Sequence, residues 1–166
     1  GYRPAAMRTA VLTISTSLAR GEGEDRSGPR LAELAAQAGC EVLGVEVLPD
    51  DRAAIEARLR ELVAADVRFV LTTGGTGLTP DDVTPEATRA MIEREAPAIQ
   101  TAMLVEGLRH QPLALLTRGV SGIAGRTLIV NLPGNPKAID QVFGVLAPAL
   151  RHAGATLARE DGDGRH

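Results

Sequence analysis

Residues 69–88 read FVLTTGGTGLTPDDVTPEAT, an apolar run that passes into a glycine-rich loop and then into a helix start. The run Phe69–Thr73 is short and apolar, which predicts a strand buried on both faces of a sheet. Thr84 before Pro85 is typical of a helix N-terminus. A strand, a tight loop and a helix in this order predict one unit of an α/β sheet.

The same alternation extends through the rest of the chain. Strands are predicted at Thr9–Ser15, Glu41–Leu48, Phe69–Thr73, Leu113–Thr117 and Leu128–Val130. Helices are predicted at Pro29–Ala38 and Arg52–Ala64, from Thr84 onward, and at about Pro97–Arg109 and Lys137–Ala153. This order predicts a three-layer, doubly wound α/β fold, with a mostly parallel sheet and helices on both faces. We expect a single domain over residues 7–155, with tails at 1–6 and 156–166.

Composition narrows the classes of function. Of the 166 residues, 44% are hydrophobic but only 2% are aromatic, which predicts an aliphatic core and few platforms for stacking bases. The net charge is −3 and no basic cluster is present, which argues against nucleic-acid or anionic membrane partners. No apolar run reaches the roughly 18 residues of a membrane span, and the N-terminus lacks a signal-peptide apolar region. We therefore expect a cytoplasmic protein.

The glycine-rich loop is the first candidate site. Three glycines within residues 74–77 allow positive φ and a close approach to a ligand. Successive amides in such a turn form an anion-binding concavity, and the hydroxyls of Thr72, Thr73 and Thr76 can donate to phosphate oxygens. The loop matches neither the lysine-containing phosphate loop nor the dinucleotide-binding glycine spacing. The alternative is a tight turn that only joins strand to helix.

Pairs of aspartates follow two of the predicted strands, at the edge of the sheet where ligands bind in such folds. Asp81 and Asp82 follow the glycine loop, and Asp50 and Asp51 follow the second strand. Carboxylates beside a phosphate site need a cation between them, and Mg²⁺ is held by one or two carboxylates plus substrate phosphates. The alternative is that these aspartates cap a turn or the helix that begins at about Arg52.

Two further segments suit anion binding. Residues 131–137 read NLPGNPK, in which a rigid turn precedes a helix start with Lys137 in its first turn. Residues 25–28 read DRSG and form either a polar lip of the site or a solvated loop with Ser27 as a helix cap. A plain strand-to-helix turn remains the alternative for the first segment.

Four segments together resemble a known family. They are LTTGGTGLTPDDVTPEAT at 71–88, DRSGPRL at 25–31, LPDD at 48–51 and GIAGRTLIVNLPGNPKA at 122–138. In this order they resemble the molybdopterin-binding proteins of molybdenum-cofactor synthesis, the MogA/MoaB group, whose module also forms the adenylylating domain of gephyrin. The similarity is collinear from about Thr9 to Leu150.

The resemblance implies a doubly wound fold, usually trimeric, and a reaction. Relatives transfer AMP from ATP to the terminal phosphate of molybdopterin with Mg²⁺ and release pyrophosphate. The adenylylated pterin then passes to a partner enzyme of the MoeA type, which inserts molybdate. On this basis the protein is expected to be a molybdopterin adenylyltransferase and a homotrimer.

The resemblance also implies site residues. Asp50 and Asp82 match the family's catalytic and Mg²⁺-binding carboxylates. The implied substrate-binding residues are Ser15, Asp25, Ser27, Thr73, Gly74, Gly75, Thr76, Gly77, Thr117, Ser121, Asn131, Pro133, Gly134, Asn135 and Lys137. Asp81 is a departure, because many relatives have arginine there and the site edge loses a cation.

Rival functions stay open at this stage. One is a molybdopterin carrier without adenylylation activity, and another is a nucleotide pyrophosphatase resembling the CinA amino-terminal domain. A scaffold role like that of gephyrin is the third. The Gly-Gly-Thr-Gly loop at 74–77 and the NLPGNPK segment at 131–137 favour the adenylyltransferase over the pyrophosphatase, whereas only ATP-dependent turnover separates it from the carrier.

Overall fold

The computed structural model describes residues 7–159. The strands are β1 Arg8–Ile14, β2 Glu41–Leu48, β3 Phe69–Thr73, β4 Arg94–Glu95, β5 Ser121–Ala124 and β6 Thr127–Leu132. The helices are α1 Thr16–Ala19, α2 Ser27–Gln37, α3 Arg52–Ala64, α4 Thr84–Met91, α5 Pro97–Leu108 and α6 Pro136–Leu157, with a 3₁₀ helix at Pro112–Leu116. The predicted tail 1–6 lies outside the described residues, as does the other tail beyond residue 159. Within 7–159, no helix combines the length and apolarity that a membrane crossing requires.

The six strands form one sheet in the order β2-β1-β3-β6-β5-β4. β1, β2, β3 and β6 run parallel, whereas β5 and β4 are antiparallel to their neighbours. The register pairs Ile14 with Leu48, and Thr73 with both Thr13 and Leu132. The four parallel strands therefore end at a common edge, and the prediction of a mostly parallel sheet is confirmed.

Alternating side chains of the strands build a core on each face of the sheet. Val11, Leu71 and Val130 pack on one face, against helices α2, α5 and α6. Leu12 and Ile129 pack on the other face, against α3 and α4. These strands are buried on both faces, which explains their near-continuous apolar sequences and confirms helices on both sides.

Residues 113–117 were predicted as a strand, and this prediction is wrong. Residues 112–116 form a 3₁₀ helix, in which Leu113 and Leu115 are 70% and 59% exposed. Their apolar pattern therefore does not reflect burial in the sheet. The strands that complete the sheet instead are β4 and β5, which were not predicted because they are short and β5 contains only one large apolar residue, Ile123.

Candidate functional site

The glycine loop follows β3 and begins with two residues whose backbone has positive φ. Gly74 and Gly75 have φ of 95° and 71°, in the region that disfavours side chains. A Cβ on Gly74 would lie 2.5 Å from the carbonyl oxygen of Ile14, and one on Gly75 would collide with the hydroxyl of Thr84. Thr84 also donates through its hydroxyl to the carbonyl of Gly74 at 3.0 Å, so the start of α4 holds the loop.

Two cavities meet at this loop. The first, of about 380 Å³, lies beside α5 and is lined partly by Met103 and Leu104; we call it the α5 cavity. The second, of about 460 Å³, lies beside the start of α2 and is lined partly by Asp25 and Ser27; we call it the α2 cavity. The residues that line both cavities are Gly74, Gly75, Asp82 and Gly134. A ligand in either cavity would therefore reach the same loop.

Asp50 lines the α2 cavity and uses only one of its carboxylate oxygens locally. Oδ2 accepts from the backbone N and the hydroxyl of Thr16, both at 3.0 Å. Oδ1 lies 3.2 Å from the Cβ position of Gly75 and accepts no hydrogen bond from residues 7–159. The cap of α3 is Asp51, which accepts from the N of Ala54, so the capping alternative applies to Asp51 and not to Asp50.

Asp82 has the same division between its oxygens. Oδ2 accepts from the N of Thr79 at 3.0 Å and from its hydroxyl at 2.9 Å. The N of Asp82 donates to the carbonyl of Thr79 at 3.0 Å, so Asp82 does cap a turn. Its Oδ1 accepts no hydrogen bond from the part of the chain that the structure describes. Asp81 is exposed and lines neither cavity.

The two aspartates fit a Mg²⁺ ion that is shared with a substrate. Both line the α2 cavity, and each keeps one hard oxygen that accepts no hydrogen bond from residues 7–159. Among residues 7–159, no group of three or more His, Cys, Asp or Glu side chains forms a protein cage for a metal. Mg²⁺ commonly binds in this way, with one or two carboxylates, water and substrate phosphates. Asp25 differs, because its oxygens accept from Thr13 at 2.8 Å and from the N of Gly28 at 2.9 Å.

The buried side chain of Asn131 connects three segments around the site. Its Nδ2 donates to the hydroxyls of Thr72 and Thr88, both at 3.0 Å, and its Oδ1 accepts from the N of Val120 at 3.0 Å. The side chain is 1% exposed. Its amide is thus engaged in joining β6 to β3 and α4, and Asn131 shapes the cavity wall rather than presenting a polar group to a ligand.

Other predicted residues fix the 133–135 segment. The hydroxyl of Thr73 donates to the carbonyl of Pro133 at 2.6 Å, and that of Ser27 donates to the carbonyl of Gly134 at 3.1 Å. Ser27 was predicted as a helix cap but is the first residue of α2. Asn135 caps α6 through its side-chain oxygen. Thr73 and Ser27 therefore join the 133–135 segment to β3 and to α2.

The remaining predicted residues divide between the cavity walls and the outside. Ser15 lines the α2 cavity, while Thr76, Gly77 and Thr117 line the α5 cavity.

Two predicted residues line neither cavity: Ser121 and Lys137. The hydroxyl of Ser121 is buried and donates to the carbonyl of Ala96 at 2.6 Å. Lys137 is exposed in the first turn of α6.

The structure adds residues that the sequence motifs did not reveal. Thr16 holds Asp50, and Gln100 donates to the carbonyl of Asn131 at 3.0 Å. The third is Arg118, whose guanidinium binds the carboxylate of Glu86 at 2.8 Å. This hydrogen bond lowers the pKa of Glu86 and raises the pKa of Arg118. Local sequence assigned no role to any of the three, because their partners lie at least 31 positions away.

Known proteins share this fold and much of this sequence. The chain is similar to the molybdenum cofactor synthesis protein cinnamon of Drosophila melanogaster, with 42% identity covering 86% of the chain and 24% of that protein. The molybdopterin adenylyltransferase of Haemophilus influenzae is 38% identical, covering 84% of the chain and 72% of that protein. A molybdopterin biosynthesis protein from Mycobacterium abscessus superposes with a TM-score of 0.87 at 38% identity, covering 91% of this chain and 96% of that one.

These comparisons differ in what they cover. The chain spans about a quarter of the length of cinnamon, so it corresponds to one part of that longer protein. A CinA protein from Thermoplasma acidophilum has 19% identity and a TM-score of 0.66, covering 86% of this chain and 98% of that one, which shows a common fold alone. The family described as "Probable molybdopterin binding domain" matches residues 10–152. The chain therefore belongs to this molybdopterin-binding family, as its four motifs predicted.

Proposed function

We propose that the protein is a molybdopterin adenylyltransferase, which transfers AMP from ATP to the terminal phosphate of molybdopterin and releases pyrophosphate. The observation that carries the proposal is the junction of the two cavities. Asp82 lies at this junction and Asp50 lines the α2 cavity beside it, and each keeps one carboxylate oxygen that accepts no hydrogen bond from the described residues. The similarity to a protein named molybdopterin adenylyltransferase supports the same reaction.

The proposed reaction joins two polyanions without a covalent enzyme intermediate. An oxygen of the pterin phosphate attacks the α-phosphorus of ATP. The bond from that phosphorus to the oxygen that bridges to the β-phosphorus breaks, and pyrophosphate leaves with the electron pair. Catalysis then depends on alignment and on stabilisation of charge, so no protein nucleophile is required.

The loop at residues 74–77 is suited to hold phosphates from both substrates. Gly74 and Gly75 line both cavities, and their lack of side chains lets a phosphate approach the backbone closely. Helix α6 begins at Pro136, beside the shared Gly134, and the N-terminus of a helix favours anions. We therefore propose that one substrate occupies each cavity and that their phosphates meet at this loop.

Asp50 and Asp82 are the residues that we propose for Mg²⁺. When bound, the ion would neutralise phosphate charge and favour departure of pyrophosphate. The hydrogen bonds from Thr16 and Thr79 fix the other oxygen of each carboxylate, so both side chains are oriented before a substrate arrives.

Pyrophosphate release by the purified protein, with ATP, Mg²⁺ and molybdopterin, tests the proposal. We expect release that depends on the pterin and stops when Mg²⁺ is chelated. A reaction without pterin is the control, because pyrophosphate that appears there would come from ATP hydrolysis. Tight pterin binding without pyrophosphate release would instead favour the carrier function. Asp81→Arg would then be the first variant to test for recovery of activity.

The proposal also covers the oligomeric state of the protein, its cellular compartment and the enzyme that receives its product. We propose a cytoplasmic homotrimer that passes the adenylylated pterin to a molybdate-inserting enzyme of the MoeA type. The net charge of −3 argues against a nucleic-acid partner. Sedimentation of the purified protein tests the trimer directly.

A further inference from the structure

Arg118 contacts the glycine loop and the Asp82 turn at the same time. Its backbone N donates to the carbonyl of Thr76 at 2.9 Å, and its Nε donates to the carbonyl of Gly77 at 2.8 Å. Its Nη2 donates to the carbonyl of Asp82 at 2.8 Å. The side chain thus holds both ends of the segment 77–82.

Glu86 orients the guanidinium for these contacts. Nη1 of Arg118 lies 2.8 Å from one carboxylate oxygen of Glu86, and Nη2 lies 3.3 Å from the other. A paired contact between a guanidinium and a carboxylate fixes the plane of the guanidinium. The remaining N–H groups are then directed at the two carbonyls. Because Glu86 is in the first turn of α4, the helix serves as the fixed support.

Among residues 7–159, few other hydrogen bonds hold the 77–82 segment. Leu78 is 64% exposed, and the three residues at 79–81 are also exposed. The bonds between Thr79 and Asp82 close the turn internally but do not attach it to the rest of the fold. The contacts of Arg118 supply that attachment at both ends of the segment.

We propose that Arg118 is a positioning residue, which places the carboxylate of Asp82 at the junction of the two cavities. Arg118 lines neither cavity, so it acts through the loop and not by touching a substrate. Its effect on turnover rests on the proposed adenylyltransferase function. Its effect on the order of the loop does not, and the two effects are measured separately.

Hydrogen exchange measures the order of the loop without any substrate. The reporters are the amides of Thr79, Asp82 and Thr84, each of which donates a hydrogen bond within this region. In Arg118→Gln we expect their exchange to be faster by roughly tenfold or more, since both side-chain ties to the loop are lost. Arg118→Lys provides a second variant if the first does not fold, because a lysine cannot reproduce the fork of contacts.

Arg58→Gln is the matched control. Arg58 is 31% exposed, against 33% for Arg118, and it likewise binds a carboxylate, that of Glu46 at 2.6 Å. It lines neither cavity. We expect this variant to leave the exchange of the three loop amides and the turnover unchanged.

Turnover is the second readout. In Arg118→Gln we expect kcat to fall by about 10- to 100-fold, with little change in the KM of either substrate, because misplacement of a site by about 1 Å costs this much. Added guanidinium should restore part of the turnover of Arg118→Ala. Wild-type exchange rates in Arg118→Gln would overturn the proposal, as would lost turnover with an unchanged loop. Absence of turnover in the wild type would refute the adenylyltransferase function, while hydrogen exchange would still decide the role of Arg118.

Discussion

Aspartates lie at both ends of the parallel strands, but they differ in how their oxygens are used. At the amino end of β3, Asp66 accepts from Arg68 with both carboxylate oxygens, at 3.4 and 3.3 Å. Arg68 also donates to the carbonyl of Arg126 at 2.7 Å. Beyond the carboxyl ends of β2 and β3, Asp50 and Asp82 each leave one oxygen without a donor from residues 7–159.

Asp66 therefore has a structural role, whereas Asp50 and Asp82 keep carboxylate oxygens that are available to a ligand. At the amino end, the carboxylate of Asp66 pairs with the guanidinium of Arg68, whose side chain is buried. At the carboxyl end, Asp50 and Asp82 line a cavity, where water or a ligand can donate to their remaining oxygens. The same edge also holds Gly74 and Gly75, which adopt positive φ without strain because they have no side chain.

Asp82→Asn should have the largest effect on activity. An asparagine oxygen can still accept from Thr79, so the turn should persist while the charge is lost. We expect turnover to fall by roughly 100-fold or more, with pterin binding retained. Pyrophosphate release and pterin fluorescence measure the two properties. Wild-type turnover in this variant would contradict the proposed role of Asp82 in binding Mg²⁺.

Gly75→Ala should have the largest effect on stability. The new Cβ would collide with the hydroxyl of Thr84 and lie 3.2 Å from Oδ1 of Asp50, at a φ of 71°. We expect the free energy of unfolding to fall by about 2–5 kcal/mol. Gly21 is the control, since its φ is 81° but its Cβ would meet nothing within 4 Å.

Urea unfolding of both alanine variants measures the comparison. We expect Gly21→Ala to cost only about 1 kcal/mol, which is the conformational part alone. The difference between the variants then reports the packing of Gly75 against Asp50 and Thr84. Equal costs would mean that the loop has room for a side chain.

Asp66→Asn tests the amino end with a smaller expected effect. Asp66 has a φ of 56°, which asparagine tolerates, so the change mainly removes the charge that pairs with Arg68. We expect the free energy of unfolding to fall by about 1 kcal/mol, since Asp66 is half exposed. Turnover should not change. A loss of turnover that matched Asp82→Asn would show that the two ends do not differ as described.

The smallest effect concerns the pH dependence of Glu86. Its pKa is lowered from 4.5 by the hydrogen bond from Arg118, so the ionised carboxylate stabilises the folded state. This contribution is fully present above pH 4.5 and is lost as the pH falls through the lower pKa of the folded protein. Because Glu86 is 35% exposed, we expect less than about 1 kcal/mol.

Urea unfolding of the wild type and Glu86→Gln, from pH 7 downward, measures this dependence. The variant should be less stable near neutral pH, and the two curves should converge in acid. A stability difference that is constant with pH would show that the ion pair with Arg118 does not stabilise the fold.

The layered fold was largely predictable because its strands are buried on both faces. Phe69–Thr73 has its predicted bounds, as does α3 at Arg52–Ala64. The antiparallel edge was not predictable from apolar runs, since β5 contains a glycine and β4 has two exposed residues. Gly125, with a φ of 59° between β5 and β6, is a turn signal that could have revealed that hairpin.

The site was predictable where its residues follow strands, and not where it depends on long-range hydrogen bonds. Asp50 and Asp82 were predicted from position and resemblance, and both line the α2 cavity. The internal role of Asn131 was not evident, because it depends on Thr72, Thr88 and Val120 meeting around its amide. Side-chain orientation of this kind is set by tertiary contacts that local sequence does not specify.

Transfer of a label from the α-phosphate of ATP to molybdopterin tests the central claim most directly. The purified protein, in excess over the pterin and with Mg²⁺, is quenched after a single turnover and the pterin is separated. We expect the label on the pterin, with an equal amount of pyrophosphate released. Pterin that binds at the cavities but stays unlabelled would contradict the adenylyltransferase function and leave a molybdopterin carrier.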